Sequence, residues 1–358
     1  MTADTIGGVW TYATELSRAL QAHNVEVALA MMGALPTADQ RREAAQLENV
    51  TLFESDYALE WMDGPWDEVD RAGEWLLGIE SEFRPDIIHL NGYAHASLSW
   101  HAPVVVVAHS CVLSWWSAVK REPAPDRYGE YRRRVSDGLF AADLVVAPTA
   151  AMLRSLSDHY VPVGRREVIP NGRDAAGFKP ASKQPSIFTC GRAWDEAKNI
   201  AALDAVAEDL AWPVELAGDC RHPNGTNVQP QSLTCIGRID IDALKQRMAA
   251  ASIFALPARY EPFGLSALEA ALSGCALVLG DIETQREVWG DAATFVDPDD
   301  HDALARALND LIHDDRRRGE LGRRARARAL EFSPAKMATR YLAAYSKCIA
   351  NRRPEVAA

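Results

Sequence analysis

No two of the six cysteines (Cys111, Cys190, Cys220, Cys235, Cys275, Cys348) stand as CxxC; they are scattered along 358 residues. That scatter argues against a zinc site and a disulfide framework, and predicts reduced, mostly packed thiols. No apolar run reaches the roughly 20 residues that a membrane-spanning helix needs. Nor does a charged-then-apolar leader precede a cleavage site, so the cytoplasm is the expected location. Positive charge is also scarce: 38 Lys+Arg against 50 Asp+Glu leave a net charge of −12. This disfavours a body that binds nucleic acid or an anionic membrane as a whole. No internal repeat indicates a solenoid. What is present is the composition of a soluble globular protein, 48% hydrophobic and 25% charged, at a length natural for two domains.

Short apolar runs alternate with helical patterns, which argues for parallel sheets covered by helices on both faces. In the first half the expected strands are Val25–Ala30, Val50–Phe53, Ile87–Leu90, Val104–Ala108, Leu144–Ala147 and Glu167–Ile169. A break follows at Pro170-Asn171-Gly172, and the polar stretch to Gln184-Pro185 reads as a linker. The alternation restarts with Ile187–Cys190, Val214–Ala217, Leu233–Ile236, Ile253–Leu256 and Ala276–Leu279, and the tail from Ala303 to Cys348 reads as helical throughout. The predicted fold is α/β, with two doubly wound Rossmann-like domains: 1–170, 171–333, and a terminal segment 334–358.

The strongest chemical signal is ARYEPFGLSALEAALSGCALVLGD. After the strand Ile253–Leu256, a loop carries Glu261-Pro262-Phe263-Gly264, and a helix runs from about Leu265 to Ser273 before Gly274 stops it. Backbone N–H groups near Gly264 and Leu265 then lie at a positive helix end beside the carboxyl edge of a parallel sheet, an anion site. Were Glu261 and Glu269 separated by eight helical steps, the rise alone would be roughly 12 Å, beyond the roughly 5 to 9.5 Å of hydrolytic carboxylate pairs. Two carboxylates serving different parts of one extended ligand are the better expectation.

EPFGLSALEAALSGCALV resembles the signature of the retaining glycosyltransferases of family 4, glycosyl transferases group 1, in which Glu-x7-Glu ends the donor site. The resemblance spans nearly the whole chain. Asp4–Leu20 is similar to that family's N-terminal glycine loop and first helix, and Val168–Gly172 to its interdomain crossover. Gly191-Arg192-Ala193-Trp194-Asp195-Glu196-Ala197-Lys198-Asn199 is similar to its diphosphate-binding segment. The resemblance implies the GT-B fold, two domains facing across a cleft, with the last helix bracing the first domain. It implies that Glu269 holds the nucleotide ribose, that Glu261 lies near the transferred sugar, and that Gly264 and Leu265 offer N–H groups to the phosphates, with Gly7 and Gly8 as the first domain's part of the donor-diphosphate site. It also implies a metal-independent site and no cofactor beyond the nucleotide-diphosphate sugar itself. The family usually has glycine after this lysine; Asn199 departs from that.

Read independently, the chemistry agrees. Breaking a sugar–nucleotide bond piles negative charge on a diphosphate, so fixed positive charge is needed where it develops. Arg192 can bind phosphate bidentately and Lys198 as a point charge. His109 ends the run Val104–Ala108 at the carboxyl end of a strand, where ligands of α/β proteins sit; in the family a histidine here contacts the donor sugar near the reacting carbon. His89 and His95 have weaker claims, and His89 is expected to be packed in its strand. Trp115 and Trp116, expected in the loop after His109, are either an acceptor-stacking platform or core. Asp240-Ile241-Asp242 and Asp297-Pro298-Asp299 precede helical patterns and read as caps rather than metal ligands. Seven arginines between Arg316 and Arg328 leave a peripheral membrane contact as the minority reading against a solvated face.

The expected activity is retaining transfer of a hexosyl unit from a nucleotide-diphosphate sugar to a hydroxyl acceptor, with His109 and Glu261 as catalytic residues. A sugar-nucleotide epimerase or hydrolase, or a non-catalytic sugar-nucleotide-binding protein, are the alternatives. Only Met1, Thr2 and Ala3 stand before Asp4 and the glycine turn. A central strand is therefore expected to be missing there, with Met1 an internal methionine.

Overall fold

The computed structural model describes residues 1–5, 7–160, 164–220 and 228–352. Its contacts divide the chain into two compact units. Met1–Ser117, Glu122–Gly172 and the chain from Pro334 form one; Ala118–Arg121 and Arg173–Ser333 form the other. Residues 353–358 of the expected terminal segment lie outside the described residues.

In the first unit, β1 (Thr2–Asp4), β2 (Val27–Met32) and β3 (Val50–Glu54) form one parallel sheet in the order β1-β2-β3. A second parallel sheet runs β4 (Ile88–Leu90), β5 (Val104–Val107), β6 (Leu144–Ala147) and β7 (Arg166–Val168). The expectation of no strand before the glycine turn is corrected: Thr2, Ala3 and Asp4 pair with Ala30, Met31 and Met32. Three residues ending in an aspartate carry no alternation or apolar run for a reader to find.

Asn91, the residue after β4, ties the two sheets together. Its backbone N–H donates to Thr2 Oγ1 at 2.9 Å and its side-chain Nδ2 to the Thr2 carbonyl at 2.6 Å. The four valines of β5 are all buried, which fits a parallel strand covered on both faces. The last helix, Pro334–Arg352, inserts Met337, Ala338, Tyr341, Ala344, Tyr345 and Cys348 into this unit's core, against Tyr12, Leu16 and Val107.

The second unit is one six-stranded parallel sheet: β8 (Gln184–Cys190), β9 (Val214–Ala217), β10 (Thr234–Gly237), β11 (Ala251–Leu256), β12 (Ala276–Gly280) and β13 (Thr294–Val296). Its order is β10-β9-β8-β11-β12-β13, so the direction of winding reverses between β8 and β11. Crevices at such reversals, outside the carboxyl ends of the strands, are where open α/β sheets bind ligands. Every residue of β11 is buried. Gly218 lets the turns after β8 and β9 abut: a Cβ there would lie 1.9 Å from the Gly191 carbonyl oxygen.

Three further expectations change. Trp115 and Trp116 lie in a helix, Val112–Val119, not in a loop. The tail is three helices, His301–His313, Asp315–Ala329 and Pro334–Arg352, interrupted at Asp314 and again before Pro334. Asp314 interrupts the first pair because its side chain accepts from the Arg317 N–H, capping a new helix. The strand β13 was not anticipated; its TFV is too short to stand out.

Candidate functional site

The residues singled out after β8 and β11 converge on the reversal in the second unit. Lys198, on the loop leaving β8, ion-pairs through Nζ with Glu261 Oε2 at 2.5 Å, their side chains 21% and 12% exposed. Glu261 is held in turn by its backbone, whose carbonyl accepts from Thr284 Oγ1 at 2.7 Å and Gln285 Nε2 at 3.3 Å. Gln285 Nε2 also donates to the Phe263 carbonyl at 3.0 Å. These bonds fix the loop Glu261-Pro262-Phe263-Gly264 on which the helix Leu265–Leu272 begins.

Gly264 stands at that helix's N-cap with φ of 91°, in the left-handed region where only glycine is unstrained. A Cβ there would also meet the Gln285 amide at 3.2 Å. Phe263 anchors the loop from below, buried and edge-on to Phe332 with ring centroids 5.5 Å apart. The N–H groups of that helix's first turn have no partner within the helix.

Arg192 is tethered rather than free. Its Nη2 donates to Asp195 Oδ2 at 2.7 Å, and its guanidinium stacks on the Trp194 ring at 4.9 Å from the centroid. Asn199, the departure from the family pattern, occupies the left-handed region at φ 54°. Asparagine is the side chain that tolerates this region best after glycine. The backbone geometry that a glycine would supply is therefore kept, and the side chain gains work: Nδ2 donates to the Pro257 and Pro298 carbonyls at 2.9 and 2.7 Å, and Oδ1 accepts from Arg259 at 2.5 Å. Asn199→Ala is expected to be less stable than Asn199→Gly by about 1 kcal/mol, because alanine adds left-handed strain to the same lost bonds; denaturant midpoints of the two variants measure it.

Glu261 and Glu269 take different partners. Glu269 lies inside the helix Leu265–Leu272 and pairs with Arg173 Nε at 2.7 Å, the two side chains 9% and 8% exposed. Arg173 is the first residue of this unit after Gly172; its N–H donates to the Phe332 carbonyl at 3.0 Å and its guanidinium lies 5.0 Å from the Phe178 ring centroid. Arg173 was missed in the sequence: one arginine after Asn171-Gly172 has no spacing relation to a glutamate 96 residues on. Cys190, at the end of β8, is half-buried, and desolvation pushes its thiol up to about 12, so it is not a nucleophile at neutral pH.

Neither aspartate pair gathers ligands. Asp240 caps the helix Ile241–Ala250 by accepting from the Ala243 N–H. In the second pair, Asp297 accepts from the Asp299 N–H and Asp299 pairs with Arg259 at 2.9 Å, while the helix cap falls to Asp300. No group of three possible metal ligands occurs among the described residues. Of the tail arginines, Arg317, Arg318, Arg324 and Arg328 sit against Asp310, Asp315, Asp291 and Glu331. No described helix is long and apolar enough to cross a membrane.

In the first unit, Gly7, just ahead of the helix Gly8–Gln21, donates its N–H to Asp4 Oδ1 at 3.1 Å, at the end of β1. His109 follows β5 after Ala108. Its Nε2 is 2.9 Å from Asn91 Oδ1, and its ring packs edge-on to Tyr12 with centroids 4.4 Å apart. Burial pushes its pKa down to about 3, so the imidazole is neutral at physiological pH. His89 is packed within β4 as expected, 2% exposed, with Nδ1 2.5 Å from the Tyr345 hydroxyl. His95 bonds the Val69 carbonyl through Nε2 at 2.9 Å and is structural. The Trp115 and Trp116 rings meet edge-on at 5.8 Å, and Trp116 continues to Tyr128 at 6.1 Å, with Arg127 over both Trp116 and Tyr128.

Comparison with known proteins gives the family. Residues 6–176 match the family described as Glycosyltransferase Family 4, and residues 229–328 match Glycosyl transferases group 1. The chain is 27% identical to the MMP alpha-(1->4)-mannosyltransferase of Mycolicibacterium hassiacum over 323 residues, 78% of this chain and 74% of that one. It is 27% identical to the glycogen synthase of Mycobacterium tuberculosis over 365 residues, 90% of this chain and 86% of that one. Among solved structures, sucrose-phosphate synthase from Thermosynechococcus elongatus superposes with a TM-score of 0.80 at 18% identity, covering 98% of this chain and 96% of that one. HepE of Anabaena, solved with UDP-glucose, superposes with a TM-score of 0.75 at 17% identity, covering 97% and 100%. With two Rossmann-like units of the GT-B fold and matches in both, this chain belongs to the family 4 (group 1) glycosyltransferases, which move sugar from a nucleotide-sugar donor to an acceptor.

Proposed function

We propose that the protein is a retaining, metal-independent hexosyltransferase, acting in the cytoplasm, that uses a nucleotide-diphosphate hexose and a hydroxyl acceptor. The observation that carries this reading is the Lys198–Glu261 pair at the winding reversal of the second unit, with Arg192 on the same loop. A lysine ammonium has three donors. One serves Glu261, and the others meet the diphosphate as its charge grows, while Arg192 takes phosphate oxygens bidentately. The Gly264 and Leu265 amides receive a further phosphate oxygen, and Gly7 and Gly8 are assigned the same task in the first unit. These fixed donors take the place of a divalent cation.

Glu269 accepts from the ribose hydroxyls, Glu261 lies by the transferred sugar, and His109, neutral, hydrogen-bonds a sugar hydroxyl. Trp115 and Trp116 are assigned to the acceptor, whose sugar or polyol face packs on aromatic rings. The reaction is a same-face displacement. The bond from the sugar's anomeric carbon to the diphosphate breaks, the acceptor oxygen bonds that carbon on the same face, and the hydroxyl proton passes to a leaving diphosphate oxygen. A hexosyl donor is supported by the mannosyltransferase named among the relatives and by UDP-glucose in the HepE structure.

A panel of UDP-, GDP- and ADP-linked glucose and mannose, followed by proton NMR in the presence of EDTA, tests this. Slow release of the α-hexose from one α-linked donor is the expected result. Release of the β-anomer, or full loss with EDTA, would overturn the retaining or the metal-free part respectively. Turnover of no donor despite nucleotide binding would overturn the transferase reading.

A further inference from the structure

His109 sits in a chain of hydrogen bonds that dictates which of its nitrogens carries the proton. The chain begins at Thr2. Its carbonyl receives Asn91 Nδ2 at 2.6 Å, and a carbonyl can only accept. The Asn91 amide is thereby fixed in rotation, since the flipped form would set two acceptor oxygens against each other. Asn91 Oδ1 then faces His109 Nε2 at 2.9 Å and His89 Nε2 at 3.2 Å. An amide oxygen only accepts, so both histidines must present N–H at Nε2.

His89 supplies an internal consistency check. With its proton on Nε2, its Nδ1 must accept, and the group 2.5 Å away is the Tyr345 hydroxyl, which can donate. The remaining neighbour of His89 Nε2, the Tyr12 hydroxyl at 3.3 Å, has lone pairs to share that N–H. Every partner in the chain from Tyr345 to His109 has a role compatible with every other. Both imidazoles are held neutral by burial.

We propose that Asn91 is a positioning residue for the transfer reaction: it locks His109 as the Nε2–H tautomer and so leaves Nδ1 as the ring's acceptor for a substrate hydroxyl. The inference rests on the reading of His109 given under Proposed function, but the tautomer itself does not. Its consequence is directional. His109 would accept a hydrogen bond at Nδ1 and would not donate there, selecting a sugar hydroxyl in the donating orientation.

Two measurements test it. In 15N-histidine-labelled protein, long-range 1H–15N correlation, with His109 assigned by its loss in His109→Gln, is expected to show bare Nδ1 and protonated Nε2. A protonated Nδ1, or averaged shifts from exchanging tautomers, would overturn the proposal without any assay of turnover. In Asn91→Ala the His109 pattern is expected to become an exchanging mixture; an unchanged pure Nε2–H pattern would also overturn the lock.

Turnover completes the test. Asn91→Ala is expected to lower kcat/KM about 10- to 100-fold, as loss of a ligand-orienting neighbour does elsewhere. In the His109→Ala background the same substitution is expected to have little further effect. An equal loss in both backgrounds would show that Asn91 acts through the seam to Thr2 and not through His109. If His109→Ala alone leaves turnover intact, the role given to His109 fails, while the NMR result still decides the tautomer.

Discussion

Lys198→Ala is expected to lower kcat/KM for the donor about 1,000-fold, close to what the loss of one preorganised charge-stabilising donor costs other enzymes. The loss should fall mainly on kcat, because the ammonium matters most as charge moves onto the leaving diphosphate. The substitution also strips Glu261 of the cation 2.5 Å from its Oε2. Glu261→Gln therefore serves as the partner experiment: paired with Lys198→Ala, it removes the stranded carboxylate without restoring charge to the phosphate. If Lys198→Ala still costs about 1,000-fold when the double variant is measured against Glu261→Gln alone, the lysine acts on the donor. A double variant no slower than Glu261→Gln alone would mean that the lysine serves only to hold Glu261. Single-turnover rates with the donor found in the panel separate the two cases.

The second large effect is on stability. Arg173→Met is expected to destabilise the second unit by about 3 kcal/mol, since removing one member of a buried ion pair leaves the other desolvated. For a unit of this size that is a fall in Tm of roughly 6 to 12 °C. Arg173→Met combined with Glu269→Gln is expected to regain much of the loss, because two neutral groups pay no such penalty. A single variant as stable as the parent in urea would show that this pair is energetically idle. Because Glu269 is assigned to the ribose, the single variant should also bind nucleoside diphosphates more weakly than its folded fraction explains.

The features most legible in the sequence were those with local signatures. Five valines and alanines in a row mark β5 and put His109 at its end, and Pro-Phe-Gly after an apolar run marks the loop after β11. What could not be read was set by partners far along the chain. Arg173 meets Glu269 across 96 intervening steps, and Asn91 meets Thr2 across 89. Such pairings follow from how strands are ordered in a sheet, which periodicity does not specify. Asn199 departs from the family's glycine in residue type, yet at φ 54° it holds the left-handed backbone a glycine would supply, which the sequence alone does not display. The three-residue strand β1 and the helical setting of the two tryptophans were lost for the opposite reason, being too short for any periodic signal.

The last helix gives the two units different histories during synthesis. The second unit is nearly contiguous in sequence, so its sheet can close once Ser333 has left the ribosome. The first unit waits. Its core needs Tyr341 and Tyr345, and His89 takes its hydroxyl partner 256 residues downstream. Until the helix Pro334–Arg352 emerges, the face of the helix Gly8–Gln21 that carries Tyr12 and Leu16 lacks part of its cover. At about 5 to 20 residues per second, making the roughly 180 residues after Gly172 takes some 10 to 40 s. The half of the enzyme translated first is therefore the half that finishes last, and the interval is when a chaperone would find apolar surface to hold.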